Sequence, residues 1–109
     1  MVNPATDSVF AYGLLGTIYR SADQGENWEE SPSEVSASLF GAATNSGAVI
    51  FVGQGGTATV SSDDGKSFAP LIQSSRKGLY GVTPYGENFV ATGEGGSLNI
   101  AAETGGAGQ

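Results

Sequence analysis

The sequence predicts an all-β protein built from repeated four-stranded antiparallel units. The first observation is a recurring motif: residues 21–28 read SADQGENW, and residues 61–68, 40 positions later, read SSDDGKSF. The second is a degenerate copy another 40 positions on, AAETGGAG at residues 101–108, which keeps Gly105 and an acid at Glu103. The third is composition, because 18 glycines and 14% charged residues are typical of a turn-rich β protein. A constant period of this length indicates a repeat architecture.

Both complete copies fit the pattern Ser-x-Asp-x-Gly-x-x-aromatic, which we interpret as a hairpin turn closed by its own side chains. The aspartate can accept hydrogen bonds from backbone N–H groups that follow it, and the serine can add a second local bond. The glycine suits a left-handed backbone, and the aromatic ring starts the next strand as an apolar anchor. The predicted structural residues are Ser21, Asp23, Gly25, Trp28, Ser61, Asp63, Gly65 and Phe68, with Glu103 and Gly105 in the third copy.

A calcium-binding loop is the alternative interpretation of this motif. Such loops need several carboxylates at alternate positions and a late glutamate. Here Asp63 and Asp64 are adjacent, and the first copy has only Asp23 before its glycine. We therefore favour a structural turn and predict neither a metal nor a cofactor.

Short β-rich segments occupy the first repeat. Residues 2–7 are the end of a strand followed by a turn, and 8–12 (SVFAY) form the next strand. A glycine hairpin at 13–16 leads to a third strand at 17–21, and a fourth, at 27–31, follows the motif. The two glutamates of this fourth strand indicate a solvent-facing edge.

The second repeat predicts the same order, with strands at 38–43, 48–52, 57–61 and 67–72. The second of these reads AVIFV, a continuous apolar run expected of a strand buried on both faces. Pro70 has no N–H to donate and fits an outer strand.

The third repeat predicts strands at 78–83, 88–92 and 97–101, after which the chain ends close to its degenerate motif. We therefore expect this repeat to lack its outer strand. The whole chain is interpreted as one segment of three repeats, at about 1–36, 37–76 and 77–109.

The motif and the glycines before it resemble the Asp-box (BNR) repeat of β-propellers, in particular the photosystem II assembly factor-like branch. The preceding segments are GLLGT at 13–17, GQGGT at 53–57 and GEGGS at 93–97. The Ile/Val position of the family pattern holds Ile18 in the first repeat but Ala58 in the second. The resemblance implies four-stranded blades and a non-catalytic scaffold or protein-interaction module, because Asp-boxes occur on propellers of many functions.

The number of repeats leads to an expectation about partners. A propeller ring typically has about 4–8 blades, and each blade buries a face against its neighbour. An open three-blade segment exposes apolar faces, which normally indicates an interface. We therefore expect self-association, most simply a dimer giving six blades, or a place within a longer propeller, together with a protein partner.

Charge and residue types exclude several classes of function. The net charge of −7 disfavours nucleic acid and anionic membrane surfaces as partners. No apolar run reaches the roughly 20 residues that span a bilayer, and residues 1–7 lack the basic and apolar regions of a signal peptide. The absence of cysteine and histidine excludes disulfides, Cys/His zinc sites and Ser-His-Asp catalysis.

Three other functions were weighed against the scaffold. The glycine clusters could suggest dinucleotide binding, but that fingerprint requires a helix to follow and a strand pattern follows here. A carbohydrate-binding oligomeric propeller is the main alternative, although the motif position of Trp28, the only tryptophan, predicts a core or inter-blade anchor. A sialidase-like glycosidase is implied less well, because that family uses three arginines and this chain has only Arg20 and Arg76, at different repeat phases. We therefore predict that the chain is not an enzyme.

Overall fold

The computed structural model describes residues 1–45, 47–71, 77–86 and 88–100, without the side chains of Leu98 and Asn99. These residues form three antiparallel sheets, and in each sheet neighbouring strands follow one another along the chain. Sheet I contains β1 (Val2–Asn3), β2 (Ser8–Tyr12), β3 (Ile18–Ser21) and β4 (Glu29–Glu30). Sheet II contains β5 (Leu39–Asn45), β6 (Ala48–Gly53), β7 (Ala58–Ser61) and β8 (Ala69–Leu71). Sheet III contains β9 (Leu79–Tyr85), β10 (Asn88–Gly93) and β11 (Gly96–Ile100).

The prediction of an all-β protein built from repeated antiparallel blades is confirmed. Pro70 lies on an edge strand, as expected of a residue that cannot donate to a neighbour. Several strand boundaries differ by one or two residues; the strand predicted to end at residue 83, for example, continues to Tyr85, which pairs with Asn88. The third motif, with Glu103 and Gly105, lies outside the described residues, as do residues 72–76 at the end of the predicted fourth strand and the link after it.

Each space between neighbouring sheets has its own apolar core, and β6 supplies both. Val49 and Phe51 pack towards sheet I, whereas Ile50 and Val52 pack towards sheet III. All four side chains are fully buried. The continuous apolar run of β6 therefore reflects a central strand buried on both faces, as predicted.

In sheets II and III, a glycine at the end of the second strand allows close contact with the segment that precedes the first strand. A Cβ on Gly53 would collide with the carbonyl oxygen of Ser38, and one on Gly93 would collide with that of Gly78. The same contacts recur 40 residues apart as hydrogen bonds, from Gln54 N to Ser38 O (2.9 Å) and from Glu94 N to Gly78 O (3.0 Å). Sheets II and III are thus each hydrogen-bonded to the residue that precedes their first strand.

Sheet III departs from the other two by one residue of register. Ile18 lies opposite Tyr12 in sheet I, and the equivalent Ala58 lies opposite Val52 in sheet II. In sheet III a tighter turn pairs Gly93 with Gly96, which places Ile100 opposite Phe89 in the sheet II–III core. A one-residue slip reverses the face that each side chain occupies, so β11 is not an exact copy of β3 and β7.

Candidate functional site

The two complete motifs form nearly identical loops, here called the first aspartate loop (residues 21–28) and the second aspartate loop (residues 61–68). In the first, the Ser21 hydroxyl donates to Asp23 Oδ1 (2.8 Å) and accepts from Gly25 N (2.8 Å). Asp23 also accepts from the backbone and side chain of Asn27, at 2.8 and 2.7 Å. Gly25 has a φ of 93°, as its predicted role requires.

The second aspartate loop repeats this arrangement. The Ser61 hydroxyl donates to Asp63 Oδ1 (2.7 Å) and accepts from Gly65 N (2.8 Å). The backbone N–H and the hydroxyl of Ser67 donate to Asp63, at 2.9 and 2.5 Å. Gly65 has a φ of 81°. Both loops are therefore closed by the bonds expected of a side-chain-fastened turn.

The hydrogen bonds keep both motif aspartates ionised. Bonds from the Asn27 side chain, the Asn27 backbone and Ser21 lower the pKa of Asp23 to about 2. At Asp63, partial burial opposes ionisation, but bonds from Ser67 and Ser61 outweigh it and lower the pKa to about 2. The carboxylates serve as acceptors for their own loops.

Asp64, at a position that the motif leaves unspecified, connects sheet II to sheet I. Its Oδ1 accepts from Asn3 Nδ2 (3.0 Å) and from the Thr6 hydroxyl (2.8 Å). Its Oδ2 accepts from the Ser8 hydroxyl (2.5 Å) and from Arg20 Nη2 (2.7 Å). Burial raises the pKa of Asp64, but these donors, led by Ser8 and Arg20, outweigh it and the net pKa is lowered.

The position of Arg20 in the repeat is a sequence feature that indicates this network. Arg20 occupies a position that is Val60 in the second repeat and Ile100 in the third. A single charge at an otherwise apolar repeat position indicates a partner of opposite sign on the next blade. Asp64, at the position held by Gln24 in the first loop, is that partner.

The aromatic residues of the two loops have different surroundings. Phe68 is 8% exposed, with its ring centroid 5.6 Å from that of Phe51 in the sheet I–II core. Trp28 is 43% exposed, and its indole N–H donates to Gly25 O within the loop at 3.0 Å. Trp28 is therefore not a buried core residue within one chain, because no described sheet covers that face of sheet I, and its role as an inter-blade anchor stays a prediction.

Trp28 belongs to a larger surface, called here the outer face of sheet I. The strand register places Val2 beside Val9, and Ala11 beside Tyr19, on one face of the sheet. Val2 and Tyr19 are among the exposed large apolar side chains. The outer face of sheet I is defined by Val2, Val9, Ala11, Tyr19 and Trp28.

The opposite end of the sheets from the aspartate loops carries a second aromatic feature. Phe40 and Tyr80, at the starts of β5 and β9, have ring centroids 5.6 Å apart with planes tilted by 39°. The Tyr80 hydroxyl donates to Glu94 Oε2 (3.0 Å), and Gly78 N donates to Glu94 Oε1 (2.9 Å).

Other site types receive no support from the geometry. Among the described residues, no three Asp or Glu side chains are placed to hold a metal ion together. Single turns of 3₁₀ helix, Leu14–Gly16 and Gln54–Gly56, lead from the glycine clusters into β3 and β7, where a dinucleotide fingerprint requires a long helix. The part of the chain that the structure describes contains no helix capable of spanning a lipid bilayer.

The comparisons with known proteins leave the family assignment open. No family model, curated protein or solved structure matches this chain. The Asp-box resemblance therefore rests on the motif residues alone.

Proposed function

We propose that this chain is an Asp-box propeller segment, similar to the photosystem II assembly factor-like branch, which acts without catalysis as a scaffold or protein-interaction module. Its outer face of sheet I receives another blade. That blade comes from a second copy, with a dimer of six blades the simplest closed form, or from the remainder of a longer propeller. The half-exposed position of Trp28 is the observation on which this proposal chiefly depends.

The repeat relationship explains why this face is a docking face. The positions of Val9 and Ala11 on sheet I correspond to Val49 and Phe51 on sheet II and to Phe89 and Ala91 on sheet III. On sheets II and III these side chains are fully buried, because the preceding sheet covers them. The outer face of sheet I is equivalent to these buried faces of sheets II and III, but no preceding sheet among the described residues covers it.

The complementary surface is the free face of sheet III. Phe10 and Ile50, the covering residues at one repeat position, are buried beneath the following sheet, whereas the equivalent Val90 is only partly buried. The free face of sheet III, which would cover another blade, and the outer face of sheet I, which another blade would cover, thus lie at opposite ends of the three sheets. Such a heterologous pairing closes into a ring when the rotation allows it.

Measurement of the solution mass by light scattering tests the proposal. We expect a dimer that falls towards the monomer in a Tyr19→Glu variant, because the substitution places a charge in the docking face. Leu14→Glu is the matched control, since Leu14 is 73% exposed in the turn between β2 and β3 and is not one of the residues that define that face. A wild-type monomer at all concentrations would argue against docking between copies and would leave a longer propeller as the source of the covering blade.

A carbohydrate-binding propeller is the second candidate, favoured by the same half-exposed tryptophan. A glycan array separates the two, since a scaffold gives no glycan signal and a lectin gives one that Trp28→Ala abolishes. Sialidase-like activity is disfavoured by the engagement of Arg20 with Asp64, which occupies a guanidinium that a substrate carboxylate would need. A fluorogenic sialoside assay with no turnover is expected.

A further inference from the structure

Phe40 and Tyr80 are brought to the surface by the same backbone irregularity in consecutive repeats. In sheet II, Leu39 pairs with Gly53 and Gly41 with Val52, which leaves Phe40 between them without a partner. In sheet III the register shifts in the same way around Tyr80. Bulges of this kind re-aim side chains and are frequent beside binding sites. The two aromatic side chains remain 44% and 53% exposed.

Glu94 completes the group with a fixed negative charge. Hydrogen bonds from the Gly78 backbone N–H and the Tyr80 hydroxyl lower the pKa of Glu94; burial opposes them, and the charge of Lys77 adds a lesser lowering effect. The carboxylate uses one acceptor site on each oxygen for these two bonds. An ionised carboxylate has about four acceptor sites, so it can accept further donors from solvent or from a ligand.

We propose that Phe40, Tyr80 and Glu94 form a binding site for an arginine side chain of a partner protein. The proposal deepens the protein-interaction role proposed above and rests on it. A guanidinium stacks on aromatic faces and donates to carboxylates, and this site places two exposed aromatic rings in contact and a carboxylate on the hydroxyl of one of them. The net charge of −7 favours the approach of a basic segment from a distance.

The charge of Lys77 distinguishes an arginine-binding site from a sugar-binding site. The Lys77 side chain lies beside Gly95, and its charge acts on Glu94. An incoming guanidinium is repelled by this ammonium group, whereas a neutral sugar is not. Removal of the Lys77 charge is therefore expected to strengthen arginine binding and to leave sugar binding unchanged.

The test is a titration of the full chain, followed by NMR of the aromatic rings, with the blocked peptide Gly-Gly-Arg-Gly-Gly and its citrulline counterpart. Citrulline has nearly the shape of arginine without the charge. We expect saturable shifts of the Phe40 and Tyr80 signals with the arginine peptide and at least about fivefold weaker binding of the citrulline peptide. Glu94→Gln is expected to weaken arginine binding about fivefold, and Lys77→Gln to strengthen it about twofold.

Control experiments distinguish arginine binding at this site from the blade docking proposed above. Leu14→Ala, at another exposed apolar residue, is expected to leave peptide affinity unchanged. Equal binding of the two peptides, weaker binding in Lys77→Gln, or tighter binding of cellotetraose or spermidine than of the arginine peptide overturns the proposal. Light scattering on the same samples reports blade docking independently, so loss of peptide binding with an intact oligomer overturns only the arginine site.

Discussion

Replacement of Asp64 by asparagine tests the link between sheets I and II. The substitution keeps the shape of the side chain and one oxygen, but it replaces Oδ2 with an amide that cannot accept from Ser8 or Arg20. Both of those donors now lie within 3 Å of Oδ2, at 2.5 Å for the Ser8 hydroxyl and 2.7 Å for Arg20 Nη2. The backbone is not a confounding factor, because asparagine tolerates the φ of 62° at this position.

The expected cost is about 3 kcal/mol of unfolding free energy. Hydrogen bonds to charged groups contribute about 1.5–3 kcal/mol each, and the two short bonds to Oδ2, with the longer one from Arg20 Nε (3.3 Å), are lost. Truncation of a fully buried ion pair costs about 3–5 kcal/mol, but the side chains of Arg20 and Asp64 are 15% and 14% exposed, so water recovers part of it. For a domain of this size, the melting temperature should fall by about 10–20 °C.

Gln24→Asn is the matched control for this experiment. Gln24 stands at the equivalent position of the first aspartate loop, with a φ of 64°, and is exposed. Urea denaturation followed by circular dichroism, at one protein concentration for all variants, should show Gln24→Asn within about 0.5 kcal/mol of wild type. Equal stability of Asp64→Asn and Gln24→Asn would refute the idea that Asp64 couples the two sheets.

Three further predictions concern stability; urea denaturation tests the first two, and thermal melting tests the third. Gly53→Ala should cost at least about 2 kcal/mol because its methyl group meets the Ser38 carbonyl, whereas Gly13→Ala, with open space around it, should cost less than about 1 kcal/mol; similar costs would contradict the fastening role of Gly53. Phe68→Ala should cost about 3–4 kcal/mol and Trp28→Ala about 1 kcal/mol in dilute monomer, because only Phe68 is buried, and a reversed order would contradict the assignment of the covered faces. The carboxyl pKa values of the two loop aspartates are lowered from 3.8 to about 2 on folding, so their stabilisation is present above the unfolded value and is lost as the pH falls through the folded value. The melting temperature should therefore decline between about pH 4 and pH 2, and an unchanged value at pH 2 would exclude these bonds as a source of stability.

The sequence predicted those parts of the fold that depend on local chemistry. The strand at 8–12 has the predicted bounds, and the aspartate loops contain the expected bonds, because each is formed by residues within a few positions of one another. The apolar run in β6 likewise indicated burial on both faces before any neighbour was known.

Features that depend on the relation between repeats were not predicted. The partners of Asp64 lie 44 to 61 residues away, so the motif alone could not identify them. The exposure of Trp28 follows from the lack of a cover on sheet I, which its motif position does not encode. The bulges at Phe40 and Tyr80 are shifts of strand pairing, and residue type does not specify them.

The fluorescence of Trp28 is the most direct test of the central claim, that sheet I presents an uncovered blade-docking face. Because Trp28 is the only tryptophan, its emission and its quenching by acrylamide report on that face without labels. With rising protein concentration, we predict a shift of the emission to shorter wavelength and a loss of quenching, in parallel with the mass by light scattering. Emission and quenching that stay constant while the mass remains that of one chain would contradict the account.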